Sequence, residues 1–420
     1  MLTKIKNLLF ENQNFRQKII KNTFWLFSGQ LIGRLIRVLI VIYAARILGP
    51  ASWGAFSYAM SLAAFMLIFS DIGVSAIVTK ESARNPELRQ KYFSTALVIK
   101  SFLLAAGMLI LLLGAPYLTK IEEAKILIPI ISFVLLFDSL RNFGFAISRS
   151  EEKMEIEGIN EIATNFFISV FGFAALYLEP TSRALAISYA AAVGIGFFLI
   201  AFKLRKYFKS LSSHFDASLL KPILKTAWPF ALASSLGAIM INTDTIIIGW
   251  LLEPAEVGFY SAAQRPVQLL YVLPSLFAAS LFPSLSRLAK EKTGEFKSVL
   301  SNALKIAIFS SIPVTLIGII WGGEIINLLF GADYLNAIPA FKILMATILI
   351  IFPAAIITNA TLALDQQKNF IAFSAIGVFG NIILNILLIP SYGIAGCAAA
   401  TVITQIIANS FTWHRLKKVL

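Results

Sequence analysis

Long apolar runs recur along almost the whole chain and are separated by short polar segments. Each run is close to the roughly 20 residues that a helix needs to cross the hydrocarbon core of a bilayer. We therefore predict an all-α membrane protein with about twelve transmembrane helices and no second globular domain. The runs lie at residues 23–47, 54–74, 93–118, 124–148, 159–178, 184–204, 219–252, 257–285, 299–321, 337–364, 370–389 and 393–413.

The segment before the first run has a different pattern. Residues 1–21 are polar and basic, with Leu2, Ile5, Leu8 and Leu9 spaced to form one face of a helix. This pattern is typical of a helix that lies at the membrane interface. A cleaved signal peptide fits poorly, because the first apolar run is long and lacks a small-residue cleavage site.

The composition agrees with the membrane class. The chain is 58% hydrophobic and 14% charged, whereas soluble domains average about 45–50% and about 25%. The single cysteine, Cys397, excludes a disulfide framework, and His214 and His414 have no cysteine or carboxylate cluster at metal spacing. The sequence contains no phosphate-binding loop, HExxH motif or nucleophile elbow. We therefore predict no enzyme, no metal site and no cofactor.

The basic residues are distributed unevenly between the two sides of the predicted helices. Most of them fall in alternate polar segments, whereas the intervening segments contain only Arg46, Lys120, Lys125 and Arg183. By the positive-inside rule, this asymmetry predicts a multi-pass protein of the cell membrane with both termini in the cytoplasm. The asymmetry also accounts for most of the net charge of +14, so no nucleic-acid partner is predicted.

Two segments about half a chain apart are similar. ILGPASWGAFSYA begins at Ile47 and LLEPAEVGFYSAA begins at Leu251, and six positions coincide at an offset of 204 residues. This repeat predicts two parallel six-helix bundles, residues 22–210 and 211–420, around a central substrate cavity. The alternative is chance similarity between apolar segments. The coinciding pairs are Leu48/Leu252, Pro50/Pro254, Ala51/Ala255, Gly54/Gly258, Ser57/Ser261 and Ala59/Ala263.

Basic residues inside the predicted spans point to an anion. Arg34 and Arg37 lie near the middle of the first span, share a helix face, and have no acid within a turn. Charges at this depth are costly and by default face a cavity or a partner, and a guanidinium fork suits phosphate oxygens. Lys100, Arg265 and Lys305 complete a predicted cationic, substrate-binding cavity. For the two lysines the alternative is snorkelling to the interface.

Three acidic residues also lie in predicted spans. Asp138 shares a helix face with Arg141, which predicts a structural ion pair. Asp244 is deep in the seventh span, and Asp71 is near the end of the second. Either could bind a coupling cation or proton, and Asp244 could instead neutralise one of the arginines. The sequence leaves these roles open.

Three segments carry a family resemblance. They are ARILGPASWGAFSYA with the following FSDIGVSAIVTKESAR, then NTDTIIIGWLLEPAEVGFYSAAQR, and finally IPSYGIAGCAAATVITQ. Together they resemble the polysaccharide-biosynthesis flippases of the Wzx type, which handle O-antigen and other lipid-linked oligosaccharides. That family belongs to the multidrug/oligosaccharidyl-lipid/polysaccharide exporter superfamily.

The resemblance implies two six-helix bundles, a V-shaped central cavity and alternating access. It also implies that the substrate is an anionic polyprenyl-diphosphate-linked oligosaccharide, moved from the cytoplasmic to the outer leaflet. Relatives that flip the peptidoglycan precursor use arginines in the first span, where Arg34 and Arg37 occupy comparable places. An H⁺ or Na⁺ gradient and polysaccharide-assembly proteins are further expected partners, besides the lipid bilayer itself.

Three other functions compete with this interpretation. A cation-coupled multidrug exporter of the same fold would need an acidic cavity, whereas the intramembrane excess here is basic. A small-solute transporter of another twelve-helix fold is the second alternative. The third is a membrane scaffold for glycosyltransferases, and buried arginines without structural partners argue against it.

Overall fold

Apolar runs fold as helices in a membrane because lipid offers no partner for backbone N–H and C=O groups. The computed structural model describes residues 15–209, 211–291, 294–366 and 369–420. Within these ranges all regular secondary structure is helical, which confirms the predicted all-α membrane class. Most of the predicted interfacial helix, residues 1–14, lies outside the described residues.

The longer helices follow the predicted runs closely. The first half contains α1 (Phe15–Phe69), α2 (Val74–Arg84), α3 (Arg89–Leu118), α4 (Glu122–Ser150), α5 (Met154–Leu178), α6 (Ser182–Lys203) and the short α7 (Arg205–Phe208). The second half contains α8 (Leu220–Leu251), α9 (Pro254–Leu270), α10 (Val272–Glu291), α11 (Glu295–Ile320), α12 (Gly322–Phe330), α13 (Ile338–Met345), α14 (Ile348–Ala363) and α15 (Asn369–Lys417). Short 3₁₀ turns lie at Pro86–Leu88, Ser212–His214, Ala217–Leu219 and Ala332–Ala337.

Two glycines divide the longest helices. Gly49 in α1 (φ 71°, ψ 172°) and Gly393 in α15 (φ 56°, ψ −141°) have non-helical backbone. Glycine adopts positive φ without a steric penalty, and Pro50 then begins the next helical segment at a position where its missing N–H costs nothing. Each of these two helices therefore contains two of the predicted spans.

The described helices include seven that are long and apolar enough to cross a membrane, or up to nine if each bent pair is one span. One bent pair is α1 with α2, at an angle of 46°. Ile72 (φ 38°) and Gly73 (φ 79°) produce that bend. The breaks at Gly49 and Gly393 each divide one of these nine spans into two, which gives eleven. With α8 the count reaches the twelve predicted runs.

The helices pack into two compact units. One unit contains the described residues of Met1–Leu48 together with Ala59–Ser235, and the other contains Gly49–Tyr58 and Leu236–Leu420. These units are defined by packing, whereas the predicted bundles 22–210 and 211–420 are defined by the internal repeat. The two divisions differ at residues 211–235, which pack with the first unit, and at Gly49–Tyr58, which packs with the second.

An ion cluster around half-buried Glu151 fixes the turn between α4 and α5 in the first unit. Glu151 accepts hydrogen bonds from Lys206 Nζ (2.8 Å), Tyr207 Oη (2.5 Å) and Lys153 Nζ (2.9 Å), and Arg89 lies 3.5 Å away. Burial alone would raise the pKa of the Glu151 carboxyl, but these hydrogen bonds lower the pKa to about 2. The cluster thereby holds α7 against the end of α4.

A close helix crossing lies in the second unit, between the two copies of the repeat. A Cβ added to Gly54 would lie 1.9 Å from the Pro254 carbonyl oxygen, and one added to Gly258 would lie 2.0 Å from the Pro50 carbonyl oxygen. The contact is reciprocal, because each glycine meets the proline of the other copy. Small residues at a crossing allow two backbones to approach this closely.

Candidate substrate site and buried polar clusters

The predicted anion ligands lie where α1 crosses α5. A Cβ on Gly29 would lie 2.5 Å from Gly158 Cα, and one on Gly33 would lie 2.7 Å from Asn165 Nδ2. Ser169 Oγ donates a 3.1 Å hydrogen bond to the carbonyl of Ile36. These small residues bring the middle of α1 into direct contact with the polar side chains of α5.

Arg37 is half-buried at this crossing, and its Nε donates a 2.6 Å hydrogen bond to Asn165 Oδ1. Within the described residues this is its single hydrogen bond, so both terminal nitrogens stay available. Arg34, one turn earlier on α1, is exposed and has no hydrogen bond or ion pair to any described residue. Neither arginine is neutralised by a carboxylate in the described part of the chain.

The side-chain amide of Asn165, which binds Arg37, also forms hydrogen bonds with Glu161. Asn165 Nδ2 donates to the carbonyl oxygen of Glu161 (2.8 Å) and to its carboxylate Oε2 (3.4 Å). Glu161 Oε1 in turn lies 3.3 Å from Arg141 Nη1. Neither Asn165 nor Glu161 was predicted as a site residue from the sequence. The available signal was the spacing of polar residues at positions 160, 161, 164 and 165, which places a polar stripe on an otherwise apolar helix.

Arg141 of α4 is buried, with 4% of its surface exposed. Its Nη2 lies 2.6 Å from Asp138 Oδ1, the partner expected from the sequence, and Glu161 is a second acidic partner. Asn160 Oδ1 and Thr164 Oγ1 each accept a longer bond of 3.5 Å from Nη1. One guanidinium thus holds two carboxylates, and this cluster connects α4 to α5.

Buried Lys100 forms an ion pair with half-buried Asp71. Lys100 is 1% exposed, and its Nζ lies 3.1 Å from Asp71 Oδ2. Asp71 also accepts hydrogen bonds from the backbone N–H and the hydroxyl of Ser75, at 2.9 Å and 2.6 Å, and so caps the start of α2. In this structure Lys100 therefore neither snorkels nor stands open to a substrate, and Asp71 is occupied by a lysine.

The other two predicted basic ligands belong to the second unit. The Arg265 guanidinium lies over the Trp53 ring, 5.2 Å from its centroid. Lys305 on α11 is exposed and has no hydrogen bond or ion pair to any described residue. Their role as anion ligands stays a prediction.

Asp244 on α8 lies in a buried cluster of neutral groups. Its carboxylate is 2% exposed and accepts hydrogen bonds from Tyr260 Oη (2.5 Å), Thr401 Oγ1 (2.8 Å) and Asn385 Nδ2 (2.8 Å). No lysine or arginine among the described residues forms an ion pair with it, so it neutralises none of the predicted arginines there. Among the described residues, the Oδ1 atom of Asn385 is buried and has no hydrogen-bond partner.

The described residues contain no group of three or more histidine, cysteine, aspartate or glutamate side chains that could hold a metal ion. Asp244 is therefore a lone carboxylate among amide and hydroxyl groups. A buried carboxylate is costly unless its charge is compensated. The role of Asp244 in ion coupling stays a prediction.

The long apolar helices, together with charged side chains inside them, define a multi-pass helical membrane protein with the architecture of a transporter. Comparison with known proteins agrees. The model of the family described as "Polysaccharide biosynthesis protein" matches residues 19–289. The chain belongs to this family, which confirms the family predicted from the sequence.

Individual relatives are distant but similar over most of their length. "Probable flippase AglR" of Haloferax volcanii is 24% identical over 409 residues, which cover 94% of this chain and 82% of the relative. The solved structure of "Lipid II flippase MurJ, inward closed conformation" matches with a TM-score of 0.74 at 21% identity, over 93% of this chain and 87% of that chain.

A multidrug transporter has the same fold. The inward-facing structure of "a multidrug resistance MATE family transporter of the MOP superfamily" also has a TM-score of 0.74, at 17% identity, and covers 99% of both chains. Likeness to solved structures at this identity establishes the fold alone. The choice between substrates therefore depends on the charges inside the helices.

Proposed function

We propose that the protein is a flippase that moves a polyprenyl-diphosphate-linked oligosaccharide from the cytoplasmic to the outer leaflet by alternating access. The observation that carries the proposal is the state of Arg37 and Arg34. Arg37 is half-buried in a spanning helix with its terminal nitrogens unoccupied by described residues, and Arg34 lies one turn away, also unpaired. Unneutralised guanidiniums at membrane depth are costly unless they serve an anion.

A diphosphate fits this pair chemically. Its oxygens accept two parallel hydrogen bonds from one guanidinium, and two guanidiniums compensate two negative charges. The family and the flippase relative support the same substrate class. Lys100 is not included among the ligands, because its ammonium group is already paired with Asp71. Transport of this kind breaks no covalent bond, so the proposal involves no enzymatic step.

A multidrug exporter of the same fold is the weaker alternative. A cationic drug needs an available carboxylate, and in the first unit Asp138 and Glu161 are both engaged by Arg141. In the first span, Arg34 and Arg37 are basic and form no ion pair with a described residue. The available carboxylate, Asp244, is enclosed by hydroxyl and amide groups at hydrogen-bond distance, which suits a proton or Na⁺ better than a drug molecule.

We infer that Asp244 is the site where an ion gradient couples to transport. Its carboxylate, together with the side-chain oxygen of Asn385, which has no hydrogen-bond partner among the described residues, supplies oxygen ligands of the kind that hard cations prefer. A proton on the carboxylate would satisfy the same need for charge compensation. The membrane potential is a second energy source, and for an anion moving outward it contributes about 2.3 kcal/mol per charge per 100 mV.

The orientation belongs to the same proposal. The distribution of lysine and arginine supports an orientation with both termini in the cytoplasm and a location in the cytoplasmic membrane. The anion site would then load from the cytoplasm, and polysaccharide-assembly proteins on the outer side would consume the product. Protease accessibility of tags at the two termini in sealed spheroplasts tests this orientation.

The test of function is transbilayer movement of a fluorescent polyprenyl-diphosphate oligosaccharide in proteoliposomes. We expect Arg34→Ala/Arg37→Ala to lower the rate by about 10-fold or more, because two charge-assisted contacts are lost. Arg183→Ala is the matched control, since it removes an exposed arginine at the end of α6, and it should retain the wild-type rate. Wild-type movement by the double variant would refute the proposal.

The ion site is tested in the same vesicles. Imposed pH, Na⁺ and potential gradients should reveal which of them accelerates the wild type. Asp244→Asn should abolish the response to the effective cation gradient while downhill movement continues. A variant that still responds in full would exclude Asp244 as the coupling site and leave the flippase proposal intact.

A further inference from the structure

The polar stripe of α5 lies directly behind the unpaired guanidinium of Arg37. We propose that Asn165 is the positioning residue for Arg37, and that Glu161 and Arg141 hold Asn165 in its working orientation. This inference rests on the proposed anion site and adds the residues that prepare it. It explains how an arginine can be held at a fixed angle inside a membrane without losing its charge.

The contact with Asn165 fixes one edge of the Arg37 guanidinium. Nε is bound to Asn165 Oδ1 at 2.6 Å, so the remaining edge, with both terminal nitrogens, can form a two-point contact with phosphate oxygens. Asn165 reaches Arg37 because Gly33, one turn earlier on α1, has no side chain. A Cβ at Gly33 would lie 2.7 Å from Asn165 Nδ2.

Glu161 determines which way the Asn165 amide points. Asn165 Nδ2 donates to two oxygens of Glu161, the backbone carbonyl and the carboxylate. If the amide were reversed, its NH₂ group would face the Nε–H of Arg37 and its oxygen would face the oxygens of Glu161. Both contacts would be repulsive, because donor would meet donor and acceptor would meet acceptor. The observed orientation is therefore strongly preferred.

Arg141 fixes Glu161 in turn. The Glu161 carboxylate lies 3.3 Å from Arg141 Nη1, and Arg141 is anchored by Asp138 at 2.6 Å. Glu161 forms no ion pair with Arg37, so the arginine is positioned by a neutral amide oxygen. A carboxylate at position 165 would still accept a hydrogen bond from Arg37 Nε, but it would cancel the charge of Arg37 and turn its second oxygen toward the acceptor oxygens of Glu161. The neutral side chain is thus the functional feature of Asn165.

The experiment compares Asn165→Asp with wild type in binding of a fluorescent polyprenyl diphosphate to the purified full-length protein in detergent micelles. The two side chains have the same shape, so the fold should be retained. We expect the Kd to rise about 10-fold or more at neutral pH, because the introduced carboxylate pairs with Arg37. Binding of the uncharged polyprenol should be unchanged.

Lowering the pH separates positioning from packing. Protonation of the introduced carboxyl restores a neutral side chain with one acceptor oxygen, so the affinity of Asn165→Asp should approach that of wild type measured at the same pH. Both proteins contain the same surrounding charged groups, namely Arg37 on α1, Glu161 on α5, and Asp138 and Arg141 on α4. The ratio of the two Kd values therefore reports on position 165.

Asn409→Asp is the matched control. Asn409 Nδ2 also donates to the residue four positions earlier, to the carbonyl oxygen (2.8 Å) and side-chain oxygen (3.0 Å) of Gln405, but no arginine among the described residues bonds to its Oδ1. This variant should bind the polyprenyl diphosphate like wild type. If Asn165→Asp fails to fold, Glu161→Gln replaces it. That substitution removes the charge that orients the amide, and we expect about a 3-fold rise in Kd.

The outcomes distinguish this inference from the proposed function. If wild type binds the diphosphate and Asn165→Asp binds it equally well, Asn165 does not position Arg37 and the inference is overturned. If Asn165→Asp is weakened but lowering the pH restores nothing, the substitution acts through packing and the inference also fails. If wild type itself does not bind a polyprenyl diphosphate, the proposed function is the part that is wrong.

Discussion

The reciprocal crossing in the second unit makes a strong prediction about stability. Gly54→Ala adds one methyl group, and its Cβ would lie 1.9 Å from the Pro254 carbonyl oxygen. Real Cβ contacts are essentially never shorter than 3.0 Å, so the two backbones must separate by roughly 1 Å. The opposing atom belongs to the main chain and cannot rotate away, as the end of a side chain could.

Two effects of opposite sign determine how much Gly54→Ala changes the free energy of unfolding. Forcing a methyl group into a packed contact costs about 1–3 kcal/mol, and a rigid backbone partner places this site at the upper end. Replacing glycine by alanine inside a helix returns about 1 kcal/mol. We therefore expect Gly54→Ala to lower the free energy of unfolding by about 2 kcal/mol, which is roughly 30-fold in the equilibrium constant.

The assay is equilibrium unfolding by SDS in mixed micelles, followed by helical circular dichroism. Gly107→Ala is the control, because Gly107 is also a buried helical glycine but its Cβ would meet nothing closer than Met66 O at 3.8 Å. That variant should be as stable as wild type or slightly more stable. The double variant Gly54→Ala/Gly258→Ala should lose less than the sum of the single losses, since one separation relieves both contacts.

Two results would contradict this prediction. If the free energy of unfolding of Gly54→Ala lies within about 0.5 kcal/mol of the wild-type value, the helices at the crossing are farther apart than the 1.9 Å between the Gly54 Cβ position and Pro254 O implies. Strict additivity in the double variant would mean that the two contacts are independent. Either result would show that the reciprocal crossing does not hold the two helices together as described.

Three further predictions follow from other contacts in the first unit. Lys100→Met should cost about 2 kcal/mol in the same assay, because half-buried Asp71 loses its cation and keeps only the hydrogen bonds from Ser75. Lys100→Met/Asp71→Leu should recover part of this loss, and a double variant no better than the single would contradict the prediction. Since the folded pKa of Glu151 is lowered from 4.5 to about 2, its stabilisation is complete above about pH 5 and is lost as the pH falls toward 2, so Glu151→Gln should show a flatter pH dependence of the unfolding midpoint below pH 5. Thr181 Oγ1 caps α6 by accepting from the N–H of Ala184 at 3.2 Å; Thr181→Ala should cost about 1 kcal/mol and Thr181→Ser much less, and equal losses would exclude the cap.

The helical spans could be predicted from the sequence because lipid imposes a simple rule on them. Any long apolar run must form its hydrogen bonds internally, so composition and length suffice. The bends could not be predicted equally well. The kink at Gly49 is signalled by glycine followed by proline, whereas the break at Ile72 depends on a β-branched residue at positive φ. The local sequence at Ile72 favours negative φ, so the positive φ there depends on tertiary packing.

The contacts of the candidate site also include some that the sequence predicts and some that it does not. Asp138 and Arg141 are three residues apart on one helix, so their proximity follows from helical geometry. The pairing of Lys100 with Asp71, and of Arg37 with Asn165, joins residues 29 and 128 positions apart. Such contacts depend on which helix faces meet, and a single sequence does not determine that. For Arg34 and Arg37 the sequence shows only that no acid lies near them on their own helix, and it is the packing that shows no acid from another described helix pairs with them.

The crossing of Pro50–Gly54 with Pro254–Gly258 has the geometry of an isologous contact, the kind found at the two-fold axis of a homodimer. Each copy of the motif presents the same surface and receives the same surface. A half-length chain with one copy would therefore carry a self-complementary face and could close the contact with a second molecule. Fusing two such chains would make the contact intramolecular. A substitution at Gly54 would then be tolerated only together with a compensating change at Gly258, and the reverse would also hold. The two motifs would then diverge more slowly than the helices around them.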